Sequence, residues 1–225
     1  MTLCDALGRE HMPSPDARIV SLVPSITELL CTLGLAPRLV GRTGFCIHPR
    51  EVVREIPKVG GTKDVNLDKI RALAPTHVVV NIDENEKPTV DRLAEFVPHV
   101  IVTHPLCPED NLGLARLLGG VFCADEAARR WCDAFAAELA ALRASPKGPP
   151  QRVLYCIWQD PWMTVSAGTY IAAMLAEIGW SVPDLGAERY PRFDWNAALL
   201  AEIDQVLLST EPHRFTEAHA DALER

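Results

Sequence analysis

Residues 18–34 leave few ways to fold this chain. Arg18-Ile19-Val20-Ser21-Leu22 is a short, β-branched run bounded by Pro24, the pattern of a strand. Ile26, Leu29, Leu30 and Leu33 follow at i, i+3, i+4 and i+7, with Gly34 as a stop, so a helix comes directly after it. Ser25 and Glu28 have the spacing of a capping box at its start. A strand running straight into a helix is the first half of a βαβ unit. The alternation goes on. Strands are predicted at Leu39-Val40-Gly41, His77 to Val80 and Val100 to Val102. Helices are predicted over 66–74, about 88–96 and about 109–118, the last closed by Gly119-Gly120. Strands alternating with helices imply a parallel sheet with crossovers on its faces.

Residues 124–144 differ in kind. They contain no Gly or Pro and are rich in Ala, Glu, Arg and Leu, which predicts one helix of roughly 30 Å at 1.5 Å per residue. Ser145-Pro146-Lys147-Gly148-Pro149-Pro150 then reads as a stiff linker. A second α/β unit begins after it, with strands over 153–157 and 206–208 and a helix over about 170–178. The expected organisation is an N-terminal α/β lobe over 17–122, a helix and linker over 123–146, and a C-terminal α/β lobe over 147–225. Neither G-x-G-x-x-G nor G-x-x-x-x-G-K-[ST] occurs, so no nucleotide cofactor is expected.

Charge narrows the function classes. Against 22 Lys and Arg stand 30 Asp and Glu, a net −8, with no basic run. Nucleic acid and anionic membrane surfaces need clustered positive charge and are not expected partners. No apolar run approaches the roughly 20 residues that span a bilayer, so membrane insertion is not expected. Asp5, Arg9, Glu10 and His11 interrupt the stretch where a secretory signal would be apolar, which places the chain in the cytoplasm as written; a start upstream would make it periplasmic. Seven cysteines without C-x-x-C read as free thiols of a reducing compartment.

In parallel α/β sheets, ligands collect beyond the carboxyl ends of the strands. The loops there carry Pro24 and Ser25; Phe45, Cys46 and His48; Asn81, Asp83 and Asn85; and, in the second lobe, Trp158, Gln159 and Trp162. Seven of the eight Trp and Tyr residues fall after residue 150, which suits stacking of a flat ligand. Trp158 and Trp162 flank Asp160-Pro161 and are the expected platform. Tyr155 and Trp180 are expected in the core. A dedicated zinc site or a Cys46–His48 nucleophilic pair lacks supporting spacing.

R-I-V-S-L-V-P-S-I-T-E-L-L (18–30), V-G-G-T-K-D-V-N-L-D-K-I (59–70), A-L-A-P-T-H-V-V-V (72–80), the long helix and W-Q-D-P-W-M-T-V-S-A-G (158–168) together resemble the periplasmic cobalamin-binding proteins of ABC importers. They also resemble the wider group of siderophore and haem receptors. The resemblance implies two Rossmann-like lobes joined by one backbone α-helix, with a corrinoid or similar metal chelate bound between them without catalysis. It assigns ligand contacts to Phe45–His48, Trp158, Trp162 and Tyr190. His48 precedes Pro49, which favours an extended backbone, so it is expected to project toward the ligand as a hydrogen-bond donor or as an axial ligand to the chelate's metal. Asn81, Asn85 and Gln159 would meet the ligand's amide rim.

Three departures stand out. Thr62 replaces a Trp used by the cobalamin receptors, the signal segment is lacking, and the family usually continues beyond residue 225, leaving the second lobe incomplete. The resemblance also implies one docking carboxylate per lobe for the importer's membrane subunits. Asp68 supplies the first, but the second position falls at uncharged Asn196, so a cytosolic chelate carrier is expected rather than a standard importer partner. A tetrapyrrole-handling enzyme of chelatase-like plan, built on His48 or His104 with Glu84, and an interaction protein without a ligand are the alternatives.

Overall fold

The computed structural model describes residues 3–223. Two compact units form. The first runs through Pro105 and resumes over Asn111–Ala136, and the second comprises Leu106–Asp110 and the chain from Ala137 onward.

In the first unit β1 (Ile19–Ser21), β2 (Leu39–Arg42), β3 (His77–Asn81) and β4 (His99–Thr103) make one parallel sheet in the order β2-β1-β3-β4. Ile19, Val79 and Ile101 face one apolar cluster, while Val20, Val78, Val80 and Val102 face another. Burial on both faces is why these strands are continuous apolar runs rather than alternating ones. The first cluster holds α1 (Pro24–Thr32), α5 (Asp110–Val121) and the start of α6 (Asp125–Ala144); the second holds α3 (Leu67–Leu73) and α4 (Lys87–Ala94). A short α2 (Arg50–Val53), not expected from the sequence, follows the β2 loop. The second unit has a three-stranded parallel sheet, β6 (Trp180–Ser181), β5 (Gln151–Cys156) and β7 (Gln205–Leu208) in that order, with α7 (Tyr170–Glu177), α8 (Ala197–Glu202) and α9 (Glu217–Leu223).

Two expectations about helix ends fail for physical reasons. The capping box does not form: α1 begins at Pro24, Val23 is its N-cap, and no side chain caps it. Proline at N1 lacks one of the donors a cap would satisfy, and its φ is already helical. Nor does Gly119-Gly120 end α5, which continues to Val121. A Cβ on Gly119 would lie 2.4 Å from the Ala128 Cβ on α6, and one on Gly120 2.4 Å from Leu3. The pair lets chain segments approach and stops nothing. α6 matches its expected span and carries the chain from the first unit into the second, where the Arg143 guanidinium pairs with Glu109 and Glu177.

Candidate functional site

The switch points of the two sheets locate the candidate residues. In the order β2-β1-β3-β4 the topology reverses between β1 and β3, so the loops after those strands diverge there. Asn85 ties them together. Its Nδ2 donates to Thr62 O at 2.8 Å and Leu22 O at 3.4 Å, while its Oδ1 accepts from Asn81 N at 2.9 Å. Asn81 Oδ1 in turn accepts from Asp83 N at 2.8 Å, and Asp83 lies 3.5 Å from His104 Nε2. Asn85, expected at the ligand's rim, is buried, and both ends of its amide are used inside the loop. Asn81 and Asp83 are half-buried and hold the same turn, as Asx side chains commonly do. The loop's exposed apolar residue is Ile82, which sequence reasoning passed over.

The loop after β2 is built the same way. Cys46 is fully buried, its Sγ 3.0 Å from Thr27 Oγ1 and 3.1 Å from Thr43 Oγ1, and Thr27 Oγ1 is also 2.8 Å from Ser21 Oγ. Cys46, expected among the ligand contacts, thus has its thiol enclosed by a nest of hydroxyls. Its neighbours are exposed: Phe45 at 53%, Ile47 at 49%, and His48 with them. V-G-G-T supports that loop. Gly60, at φ +110°, accepts from Gly44 N at 2.7 Å, and a Cβ on Gly60 would lie 2.3 Å from Asp64 O. Pro24 is half-buried and Ser25 exposed at the start of α1.

In the second unit, the order β6-β5-β7 puts the reversal between β5 and β7. Trp158 follows β5, is 41% exposed, and meets the His213 ring edge-on at 5.4 Å. His213 N donates to Ile157 O and Ser209 N to Cys156 O, so the two loops are laced together. Ser209 Oγ and His213 Nε2 are buried there without a hydrogen-bond partner. Trp158 thus presents an exposed indole face at this switch point.

Trp162 is placed differently. Its ring stacks on Phe215 at 5.7 Å and meets Trp195 edge-on at 5.3 Å, against the core of Leu154, Phe193 and Leu199. Of the expected pair of platforms, Trp158 is exposed and Trp162 is half-buried against aromatic neighbours. Gln159 is half-buried, and Tyr190 lies 5.8 Å beneath the Arg189 guanidinium. Asn196 is the N-cap of α8, accepting from Leu199 N at 2.9 Å, while Asp68 is exposed in the first turn of α3.

All seven cysteines are free, and burial pushes the Cys156 thiol up to about 12. Among the described residues no group of three or more His, Cys, Asp or Glu is placed to hold a metal ion, and no helix is long and apolar enough to cross a membrane.

Known proteins agree with this architecture. The chain is 23% identical over 209 residues to the vitamin B12-binding protein of Vibrio vulnificus (strain CMCP6), covering 92% of this chain and 73% of the relative. The periplasmic vitamin B12 binding protein BtuF of Vibrio cholerae superposes with a TM-score of 0.76 at 20% identity, over 93% of this chain and 84% of that one. The periplasmic heme-binding protein BhuT, solved with two hemes, superposes with a TM-score of 0.72 at 21% identity, over 87% and 77%. Residues 19–224 match the periplasmic binding protein family model, and the chain belongs to that family.

Proposed function

We propose that this protein binds a corrinoid, or a planar metal chelate of similar build, without catalysing a reaction, and passes it to the membrane subunits of an ABC importer. The observation that carries this reading is Trp158, exposed at the switch point of the second sheet beside the His213 ring. Phe45, Ile47 and His48 give the first unit a comparable apolar and polar loop. A corrinoid offers both matching surfaces, a broad ring and an amide-bearing rim. The vitamin B12-binding relatives support the same choice. His48 would give an axial nitrogen to the metal, and Pro24, Ser25, Gln159 and Tyr190 would add lesser contacts.

Export fits this reading better than the cytosolic placement suggested by residues 1–18, because the relatives it resembles are periplasmic. Asp68 would then meet a basic group of the importer. Asn196, spent as a helix cap, offers no second carboxylate.

Titration with cyanocobalamin, haem and ferric siderophores, read by tryptophan fluorescence, tests the proposal. We expect cyanocobalamin to quench with a Kd of micromolar or tighter, about 8 kcal/mol of binding free energy. Absence of quenching by cyanocobalamin rejects the corrinoid. Tighter binding of haem selects the second reading, a haem receptor, which the likeness to BhuT favours. An absorption shift of bound cyanocobalamin that His48→Ala abolishes is expected if His48 ligates the metal; an unshifted spectrum rejects that role.

A further inference from the structure

The second unit holds another pocket, of about 640 Å³, walled by Met163, Leu185, Tyr190 and Pro191 and carrying two charged groups, Glu188 and Arg192. Its volume lies within the roughly 300–1,000 Å³ of small-molecule sites. The loop that forms it is fixed at the backbone. Thr164 N donates to Pro191 O at 3.0 Å, Ser166 N to Arg189 O at 2.9 Å and Phe193 N to Trp162 O at 3.1 Å. Arg189 is tethered as well, its Nη1 donating to Gly168 O at 2.9 Å. Arg192 is different: it is exposed, and its guanidinium makes no hydrogen bond or ion pair among the described residues, Glu188 included.

We infer that this pocket takes an oxyanion carried on the periphery of the bound molecule, a phosphate or a carboxylate, with Arg192 as its forked donor and Tyr190 and Met163 as the apolar wall beside it. A guanidinium matches either anion with two parallel N–H donors, a geometry an ammonium lacks. The chain as a whole carries −8 and repels anions, so recognition of one needs a local cation left unneutralised. Glu188, which lines the same pocket, repels an anion and so leaves the Arg192 guanidinium as its partner. This inference rests on the chelate reading and narrows it to ligands with an anionic group.

Two matched pairs of probes test it on the full chain, by tryptophan fluorescence. Cyanocobalamin is compared with dicyanocobinamide, which lacks the phosphate, and haem with its dimethyl ester, which lacks free carboxylates. In one pair the anionic member is expected to bind about tenfold tighter, with R192Q removing the preference and E188Q enlarging it. The pair that discriminates identifies the anion. Equal affinities within both pairs overturn the anion site and leave the chelate reading standing. A preference that survives R192Q also overturns it. If no chelate binds, the chelate reading falls and inorganic pyrophosphate decides the pocket. Amide shifts at residues 188–192 that R192Q abolishes sustain the site, and unmoved amides reject it.

Discussion

Trp158 and Trp162 lie four residues apart in one loop and do opposite work. Trp158 is exposed beside His213, whereas Trp162 is packed among Phe193, Trp195 and Phe215. Trp158→Ala should therefore weaken chelate binding by about 1–3 kcal/mol and leave stability within about 0.5 kcal/mol. Trp162→Ala should cost about 3 kcal/mol of stability through the cavity it leaves. Denaturant unfolding and ligand titration of both variants check this; equal losses of stability would contradict the division of roles. Asn85 and Cys46 teach the same lesson from the polar side. Asn, Asp and Cys beyond strand ends are the residue types a ligand site uses, and also those that hold a turn. Only the placement of Leu22, Thr62, Thr27 and Thr43 around them separates the two roles, and those partners lie 3 to 63 residues away.

At the scale of elements, segments with a clear apolar pattern were legible, short ones such as β1 and α3 included, and those without one were not. α6 appears over nearly its expected span because twenty residues of helix formers need no tertiary help to be read. α2, α8, α9 and β6 were missed: they are two to seven residues long, and of these α8 rests on the Asn196 cap and β6 on its pairing with β5. The cap that Asn66 supplies to α3, accepting from Lys69 N at 2.9 Å, was read correctly, since it depends only on residues within one turn. Gly119-Gly120 was misread because a glycine pair looks the same whether it stops a helix or admits a neighbour. Gly119→Ala tests the second meaning. Its Cβ would meet Ala128 at 2.4 Å, so α5 and α6 would have to separate, at a cost of about 1–3 kcal/mol despite the better helix propensity of alanine. A gain in melting temperature would contradict close packing here.

Across the whole molecule, acid should reach the first unit through its buried histidines. His77 is 2% exposed, stacked on His99 at 4.6 Å and edge-on to Phe122. Burial, then the charges of His99 and His11, lowers it from 6.5 to about 4. The unfolded chain thus binds this proton more readily than the folded one, so the contribution is complete above about pH 6.5 and is lost as the pH falls toward 4. A shift of that size is worth about 3 kcal/mol. Denaturant unfolding at pH 7.5, 5.5 and 4.5 should show this decline, flattened in His77→Gln; a wild-type curve independent of pH would refute it. The alternation of strands and helices, the two α/β units, the helix leading from one to the other, and the loops that carry the candidate residues are all written in local sequence. Each depends on periodicity and on neighbours a few positions away. Which loop side chains face outward and which are consumed in holding the loop depends on partners brought near in space. That is why Ile47, Ile82 and Trp158 stand exposed while Cys46 and Asn85 are spent inside and Trp162 is half-buried against Phe215.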